Sequence, residues 1–242
     1  MLIKQCILVT GKNGQLGSEF QAIAPLYPQF DFIFTDRETL DITNRDEVDD
    51  FFSKKLPQFC INAAAYTAVD KAETERDLAV RVNAEAVGYL SLACKKHSAK
   101  LIHISTDYVF DGTATEPYKE EHETNPVNFY GLTKLMGEEL AISNHPGSIV
   151  IRTSWVYSSY GSNFVKTMIR LMSEKSSINV VNDQFGSPTY ARDLAEAILQ
   201  IIKSSPTSVL APGGIYHFSN SGAISWFEFA SAIKVYTASS CT

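Results

Sequence analysis

The sequence predicts an α/β fold in which helices cover both faces of a doubly wound parallel sheet. Three observations support this prediction. Short apolar runs alternate with longer segments of helical periodicity along most of the 242 residues. The runs are continuously apolar, which is typical of strands that are buried on both faces. A glycine-rich segment also follows the first run directly, where a strand must turn into a helix.

The individual elements can be placed in chain order. The predicted strands are QCILVTG, FDFIFTD, FCINAAA, KLIHIST, SIVIRTSWVY and INVV. The predicted helices are LGSEFQAIA, RDEVDDFFSKK, ERDLAVRVNAEAVGYLSLACKKH, VNFYGLTKLMGEELAIS, GSNFVKTMIRLMSE and ARDLAEAILQIIKSS. Segment 204–214 is rich in Ser, Pro and Gly and is expected to form a surface loop. A last helix begins within ISWFEFASAI, and no closing element is evident after it, so we expect a truncated or divergent C-terminal part.

Composition narrows the classes of function. The formal net charge is −6, from 27 acidic and 21 basic residues, and the absence of a basic run argues against a nucleic-acid or anionic-membrane partner. The four cysteines are scattered without ligand spacing, so we expect neither a disulfide framework nor a metal site. No signal-peptide pattern is present, and no apolar run approaches the roughly 18 residues of a membrane span, which favours the cytoplasm.

The segment VTGKNGQLG places Gly11, Gly14 and Gly17 at the first strand-to-helix corner. In a dinucleotide-binding Rossmann unit, the first glycine permits the tight turn and the second lets the backbone approach a pyrophosphate. The third lets the helix pack closely on the sheet. Backbone N–H groups at the positive end of the helix then meet the phosphates. A glycine pattern alone is weak evidence, but its position after the first strand of an alternating chain favours a dinucleotide.

Residues after the second and third strands fit the rest of a dinucleotide. Asp36 closes the second strand, where an acid typically accepts hydrogen bonds from the adenosine ribose of NAD. Arg37 follows it and could hold the 2′-phosphate of NADP instead. Asp41 and Ile42 are candidates for contact with the adenine, with a helix cap as the equal alternative for Asp41. The alanines at 63–65 are small enough for a cofactor to lie against the backbone.

Candidate catalytic side chains follow the fourth strand. Thr106 and Asp107 lie at its carboxyl end, and the next helix carries Tyr130 and Lys134 one turn apart on the same face. A free tyrosine has a pKa of about 10. A neighbouring ammonium and an oxidised nicotinamide would lower that pKa, and Thr106 could hydrogen-bond a reacting oxygen. A Tyr–x–x–x–Lys pair also occurs by chance on helices, but in this context it predicts carbonyl reduction with a nicotinamide cofactor.

Longer motifs are shared with a known family. They are GKNGQLG, AAAYTAVDKAE, VNAEAVGYLSLAC, HISTDYVFDG, YGLTKLMGE, RTSWVYSSYGSNFVKTM and NDQFGSPTYARDLA, which together cover roughly residues 5–202. On these motifs the chain resembles the dTDP-4-dehydrorhamnose reductases, which are extended short-chain dehydrogenases/reductases. The resemblance implies a Rossmann-like sheet with a smaller C-terminal substrate-binding lobe. It also implies reduction of the C4 ketone of dTDP-4-dehydro-L-rhamnose to dTDP-L-rhamnose by NADH or NADPH. We further expect a homodimer.

The resemblance implies a role for each of several residues. The catalytic triad would be Thr106, Tyr130 and Lys134. The cofactor would be bound by Gly11, Gly14, Gln15, Leu16, Gly17, Asp36, Asp41, Ile42, Ala63, Ala64, Ala65, Tyr66, Thr67, Tyr130 and Lys134. The dTDP-sugar would contact Thr106, Asp107, Trp155, Asn163, Gln184 and Arg192. The alternatives are that Trp155 belongs to the core, Gln184 only fixes a loop, and Arg192 pairs with Glu196 one turn on. Asn83 is expected to brace the site, and His103 to be a satisfied core histidine.

The chain is expected to divide into a core and a substrate lobe, and two rival functions are open. Residues 1–155 would form the dinucleotide-binding core, completed by 189–218, while 156–188 and 219–242 would form the substrate lobe. One rival is another nucleotide-sugar reductase, dehydratase or epimerase, but Tyr108 stands where a dehydratase usually has glutamate. The other rival is a non-catalytic regulatory subunit that binds a partner enzyme, of the methionine adenosyltransferase type. An intact triad favours an enzyme without excluding that second role.

Overall fold

A computed structural model describes residues 4–204 and 212–241. Within these residues, six parallel strands form a central sheet in the order β2-β1-β3-β4-β5-β9. The six strands are β1 (Gln5–Thr10), β2 (Phe30–Thr35), β3 (Phe59–Asn62), β4 (Lys100–Thr106), β5 (Ile149–Thr153) and β9 (Gly214–His217). The fold is therefore the expected Rossmann-like sheet. Residues 205–211, most of the expected surface loop, lie outside the described part of the chain.

Helices cover both faces of this sheet. The helices of the described residues are α1 (Gln15–Ile23), α2 (Arg45–Lys55), α3 (Val69–Ala72), α4 (Arg76–Val80), α5 (Ala86–Lys96), α6 (Phe129–Asn144), α7 (Phe164–Glu174), α8 (Ala191–Ser204) and α9 (Trp226–Tyr236), of which α7 and α9 pack on each other rather than on the sheet. One π-helical turn, Arg81–Glu85, joins α4 to α5, so the long helix predicted from the sequence is continuous but locally widened. Such π turns are frequent at functional sites.

Four short strands form two separate pairs. β6 (Val156–Tyr157) runs parallel to β8 (Thr189–Tyr190), and β7 (Phe185–Gly186) runs antiparallel to β10 (Ile224–Ser225). These pairs connect the segment that follows β5 to the segments near the end of the chain.

Two apolar clusters hold the helices to the sheet. One cluster packs α1 and α8 against one face through residues such as Phe20 and Leu194. The other packs α2 and α5 against the opposite face through residues such as Phe52 and Leu90. A third cluster, which includes Met168 and Ile233, lies between α7 and α9. Burial of apolar side chains on both sheet faces explains why the strands are continuous apolar runs.

The order of the strands fixes where a ligand can bind. From β1 the chain crosses to β2 on one side, and then returns to β3 on the other side of β1. The carboxyl ends of β1 and β3 thus flank the point where the strand order reverses. Open α/β sheets bind ligands in the crevice at such a point.

Two local predictions differ from the structure. The run INVV, predicted as a strand, has no regular structure, because Ile178 and Val180 pack into the α7/α9 cluster instead of pairing with a strand. The sixth strand of the sheet, β9, was not predicted from the sequence. Only four residues long, it is partly exposed and lacks the long apolar run of the inner strands.

Candidate active site

A cleft runs along the carboxyl ends of the parallel strands. It comprises two adjoining cavities. The outer cavity, of about 300 Å³, lies beside Asp36, and the inner cavity, of about 550 Å³, lies beside Tyr130. Asn13, Gly14, Ala63 and Ala65 line both of them, so the two cavities meet at the point where the strand order reverses.

The glycine corner forms the boundary between the cavities. Gly11 has a φ of +70°, and a Cβ atom there would lie 2.7 Å from the backbone nitrogen of Ala64. A Cβ on Gly17 would collide with the Gly11 carbonyl, so the start of α1 lies directly against the turn. Gly14 caps α1 without a side chain, which leaves the first N–H groups of the helix, including those of Gln15 and Leu16, open to a ligand. This is the geometry that binds phosphate at a helix N-terminus.

Asp36 lines the outer cavity and is held in a network of donors. Its carboxylate accepts hydrogen bonds from Thr39 and from Asn13 Nδ2 at 3.1 Å, and it lies 3.0 Å from Lys12 Nζ. These contacts, that of Lys12 first, hold the pKa of Asp36 well below its usual range. Arg37 also lines this cavity, and 84% of its side chain is exposed.

The next two candidates, Asp41 and Ile42, line the same cavity. Asp41 accepts hydrogen bonds from the backbone and hydroxyl of Thr43, and these lower its pKa. It does not cap α2, because the N-cap is Asn44, whose side chain accepts a hydrogen bond from the Glu47 N–H. The helix-cap alternative for Asp41 was therefore wrong.

The segment after β3 contributes small residues to the cleft and one side chain that turns away. Ala63, Ala64 and Ala65 line the cavities, as does Thr67. The hydroxyl of Tyr66 instead donates a 2.8 Å hydrogen bond to Glu75.

Asn83, in the π turn, fixes this segment from the next helix. Its Oδ1 accepts from the Tyr66 N–H, while its Nδ2 donates to the Tyr66 carbonyl and to the Thr133 hydroxyl. The side chain thus ties the segment after β3 to α6.

The inner cavity contains the side chains of the predicted triad. Asn128 caps α6 by accepting from the Gly131 N–H, which starts the helix just before Tyr130. Tyr130 and Lys134 then point into the cavity one turn apart, and Thr106 lines it from the end of β4. The predicted convergence of hydroxyl, phenol and ammonium is therefore present beside the glycine corner.

The proton affinity of Tyr130 differs from the sequence expectation. Burial raises its pKa above the ordinary value, a hydrogen bond with Thr106 opposes this shift, and the nearby Asp107 adds to it. The expected lowering of this pKa came from the charges of Lys134 and of an oxidised nicotinamide, and did not include the cost of burying a phenolate. In the protein alone, Tyr130 is therefore a protonated phenol at neutral pH.

Lys134 is an almost fully buried cation. Its Nζ donates a 2.7 Å hydrogen bond to the Ile104 carbonyl and lies 3.5 Å from His103 Nε2. Burial lowers the pKa of Lys134 to about 8, and the carboxylate of Glu138 opposes this shift. The amine therefore exchanges its proton near physiological pH, unlike an exposed lysine.

A buried ion pair supports α6 one turn beyond Lys134. The guanidinium of Arg152, on β5, donates to both carboxylate oxygens of Glu138, with the shortest contact at 2.7 Å. The hydroxyl of Ser105 also donates to Glu138. These bonds fix α6 against β4 and β5 and so fix the position of Lys134.

Asp107 is a carboxyl with a raised pKa at the edge of the cavity. Burial raises its pKa to about 6, while the Thr106 hydroxyl, which donates to it at 2.9 Å, opposes the shift. Carboxyl groups whose pKa is raised by burial are common at functional sites.

Comparison with known proteins identifies the family. The profile described as the RmlD substrate binding domain matches residues 5–240. A curated relative from Aggregatibacter actinomycetemcomitans, named dTDP-4-dehydrorhamnose reductase, is 42% identical over 227 residues, which is 94% of this chain and 77% of that relative. The chain belongs to the dTDP-4-dehydrorhamnose reductase family. Among the described residues, no helix is long and apolar enough to cross a membrane.

Two solved structures of the reductase family superpose closely on this chain. The dTDP-4-dehydrorhamnose reductase from Bacillus anthracis, solved in complex with NADP, is 44% identical with a TM-score of 0.92 and covers 99% of this chain and 83% of its own. The ortholog from Clostridium acetobutylicum is 42% identical with a TM-score of 0.92, covering 98% of this chain and 82% of its own.

Among the remaining residues that the reductase resemblance singled out, Trp155 lines the inner cavity. It follows β5 with a φ of +48°, a conformation that is rare for a bulky residue. Its indole stacks on Trp226 of α9 with ring centroids 3.5 Å apart. A Cβ on Gly186 would lie 2.5 Å from the indole, so only glycine fits there without a shift. The stack brings the start of α9 to the edge of the inner cavity.

The other three sugar-nucleotide candidates do not line the inner cavity. Asn163 caps α7 and donates to Gln15 Oε1 at 2.9 Å and to the Ser158 carbonyl. Gln184 is exposed on the segment before β7. Arg192 pairs with Glu196 one helical turn away, at 3.1 Å, as its alternative role required. The structure thus brings Trp155 to the inner cavity, engages Asn163 and Arg192 in other contacts, and leaves Gln184 exposed.

Sequence reasoning missed several residues of the cleft. Asn13 lines both cavities and, like the neighbouring Lys12, contacts Asp36, but polar residues of a loop follow no periodic pattern that would single them out. Leu78, Arg81 and Val82 also line the outer cavity. Their helical spacing places them on one face, which was a usable signal. Among residues 4–204 and 212–241, no three His, Cys, Asp or Glu side chains are grouped as they would be around a metal ion.

Proposed function

We propose that this chain reduces the C4 ketone of dTDP-4-dehydro-L-rhamnose to dTDP-L-rhamnose with NADH or NADPH. The observation that carries the proposal is the position of Tyr130 and Thr106. Both line the same cavity as Gly14, Gln15 and Leu16, so a reacting carbonyl can lie beside a dinucleotide held at the start of α1. The named activity of relatives that match over 94% of the chain supports the same substrate.

The glycine corner fits the pyrophosphate of a nicotinamide dinucleotide. Gly11 and Gly17 allow the close turn, and the uncapped N–H groups at Gln15 and Leu16 supply donors for the phosphate oxygens. Ala63, Ala64 and Ala65 leave space along the backbone, with Thr67 at the inner end.

The outer cavity accommodates the adenosine half of either cofactor. Asp36 accepts hydrogen bonds from the ribose hydroxyls, while Asp41 and Ile42 contact the adenine. Lys12 neutralises Asp36 at 3.0 Å, and the exposed Arg37 adds a second cation. These two cations reduce the repulsion between Asp36 and a 2′-phosphate, so NADPH and NADH can both bind.

In the proposed mechanism, a bound NADH or NADPH supplies the hydride to C4. Tyr130 donates the proton to the ketone oxygen, because burial keeps its phenol protonated at neutral pH. In this step the Thr106 hydroxyl donates its hydrogen bond to the ketone oxygen instead of to Asp107, as negative charge develops on that oxygen. The Lys134 ammonium stabilises the phenolate that remains and orients the nicotinamide ribose.

The sugar nucleotide occupies the rest of the inner cavity. Thr106, Asp107 and Trp155 line the part of the cavity beside Tyr130 and are assigned to the substrate. Asn163, Gln184 and Arg192 remain candidates for substrate contact, with less support than Trp155 because they do not line the inner cavity. The domain division stays as proposed, with residues 1–155 and 189–218 as the core and 156–188 and 219–242 as the substrate lobe. A homodimer also remains a prediction, which size-exclusion chromatography tests.

The proposal is tested by mixing the chain with dTDP-4-dehydro-L-rhamnose and NADH or NADPH. We expect loss of the nicotinamide absorbance band and formation of dTDP-L-rhamnose. Tyr130→Phe should lower kcat by roughly 10²- to 10⁴-fold and leave cofactor binding largely intact. Tyr27→Phe is the matched control, because Tyr27 stacks on Phe30 far from the cleft. Full activity of Tyr130→Phe would remove Tyr130 from the mechanism, and no turnover by the native chain would contradict the assigned reaction.

A further inference from the structure

A row of buried polar side chains runs under the cleft and ends at Lys134. The Thr10 hydroxyl lies 2.7 Å from the Asn62 side-chain oxygen, and the Asn62 side-chain nitrogen lies 3.1 Å from His103 Nδ1. His103 Nε2 lies 3.5 Å from Lys134 Nζ. All four residues are at most 2% exposed. The mechanism above uses only Lys134, so the other three need a separate explanation.

The register of the sheet produces this row. Thr10 on β1 pairs with Asn62 on β3, and Asn62 pairs with His103 on β4. Three neighbouring parallel strands thus carry a buried polar residue at the same level. Burying such groups is costly unless each is hydrogen-bonded, so an apolar row would pack at lower cost. The retained row ends at the one buried ammonium of the described residues that faces the inner cavity.

The ammonium of Lys134 needs acceptors that its acidic neighbour cannot fully supply. Glu138 is one turn away, but its carboxylate is engaged by Arg152 and Ser105. One Lys134 proton is donated to the Ile104 carbonyl, and a second faces the His103 ring. Burial and the Lys134 charge both hold the pKa of His103 well below its usual value, so the ring is neutral. A neutral ring can accept a hydrogen bond through one nitrogen only.

We propose that His103 is a positioning residue that accepts a hydrogen bond from Lys134 through Nε2 and thereby holds the amine as an ammonium beside Tyr130. This inference rests on the proposed role of Lys134. It requires the ring proton to be on Nδ1, and hence the Asn62 amide oxygen to face Nδ1. This orientation is the reverse of the one described above, and a half-turn of the Asn62 side-chain amide produces it. The amide oxygen then accepts from His103 Nδ1 and Nδ2 donates to the Thr10 hydroxyl, so the contacts with Thr10 and His103 are both kept. In that orientation the Asn62 amide oxygen accepts from Nδ1 and keeps the ring proton there.

The ring tautomer can be measured directly in the unliganded protein. In ¹⁵N NMR spectra of the five histidines, we expect His103 to carry its proton on Nδ1 and not to titrate between about pH 5 and 8. Lys134→Met removes the neighbouring charge and should raise the pKa of His103. A proton on Nε2 in the native protein would overturn the proposal. Because this readout needs no substrate, it decides the question even if the proposed reaction is wrong.

Two variants separate the acceptor role from a packing role. The side-chain amide of His103→Gln reaches the position of Nε2, whereas that of His103→Asn reaches the position of Nδ1. We expect His103→Gln to keep the basic limb of the kcat–pH profile, and His103→Asn to move that limb down by about one pH unit, the value of one hydrogen bond to a charged group. The sign follows because an acceptor stabilises the ammonium and so raises the pKa of Lys134.

The charged and titratable groups around this pair are the same in both variants. They are Glu138 and Tyr130 on α6, Asp107 after β4, and Arg152 on β5. Equal losses of kcat in both variants with an unchanged basic limb would show that His103 only packs, and would overturn the proposal. If His103→Asn does not fold, the NMR measurement on the native chain gives the answer.

Discussion

The pKa values of ionisable groups are shifted by different causes in the two cavities of the cleft. In the inner cavity, burial lowers the pKa of Lys134 to about 8 and raises that of Asp107 to about 6, so both groups exchange protons near neutral pH. In the outer cavity, partially exposed partners hold Asp36 firmly ionised. Desolvation therefore governs the end where chemistry is proposed, and ion pairing governs the end where recognition of the cofactor is proposed. Substitutions at the inner end should therefore change kcat or stability, and substitutions at the outer end should change KM for the cofactor.

The largest effect is expected at the inner end. Lys134→Met removes the cation beside Tyr130 and should lower kcat by about 10³-fold, because the phenolate left after proton transfer loses its stabilising charge. Steady-state reduction rates at saturating cofactor measure this change. Lys54→Met is the matched control, since Lys54 pairs with Asp50 on the exposed face of α2. If Lys134→Met kept more than a tenth of the native rate, the inner end would not work by charge.

A large loss of stability is expected where a buried charge loses its partner. Glu138→Gln leaves Arg152 buried without an opposite charge, and should lower the free energy of unfolding by about 3–5 kcal/mol. The matched exposed pair is Arg170–Glu174, on the surface of α7. Glu174→Gln should cost less than about 0.5 kcal/mol. Urea unfolding measures both values, and equal losses would contradict the contrast between buried and exposed charges.

A smaller and opposite effect is expected at Asp107. Its pKa in the folded state, about 6, lies above the ordinary value of 3.8, so the folded protein resists ionisation of this group. The resulting penalty is absent below the ordinary pKa, grows as the pH rises toward the folded-state pKa, and is complete above it. Asp107→Asn should therefore stabilise the protein by roughly 2 kcal/mol at neutral pH and by nothing in acid.

Urea unfolding of the native chain and of Asp107→Asn, at neutral pH and in acid, measures the gain in stability at each pH. Activity assays should show a reduced rate for this variant, because Asp107 is assigned to the substrate. A stability gain that is independent of pH would mean that desolvation of the carboxylate is not the cause.

The smallest effect is expected at the outer end. Lys12→Met frees the charge of Asp36 to repel a 2′-phosphate, so KM for NADPH should rise by roughly ten-fold. KM for NADH should change little, because the ribose hydroxyls still meet the Asp36 carboxylate. Assays with the two cofactors in parallel measure the ratio. Equal changes in both KM values would show that Lys12 only maintains the glycine corner.

The sequence was most informative where the physics is local or periodic. Strands β1 to β5 were found because they are apolar runs in a sheet that helices cover on both faces, and Tyr130 with Lys134 because one helical turn places them together. The strand prediction for INVV was wrong because a short apolar run also suits a loop that packs between helices. The raised pKa of Tyr130 and the pairing of Lys12 with Asp36 depend on burial and on long-range geometry, which residue spacing does not encode.

The stacked indoles at the edge of the inner cavity have a practical consequence. Trp155 and Trp226 are the two tryptophans of the whole chain, and they lie face to face. The tryptophan fluorescence of the protein therefore arises from a single spot that borders the proposed sugar pocket. A ligand that enters there, or a displacement of α9, should alter the emission without any added dye. The molecule thus contains its own optical reporter for occupancy of this pocket.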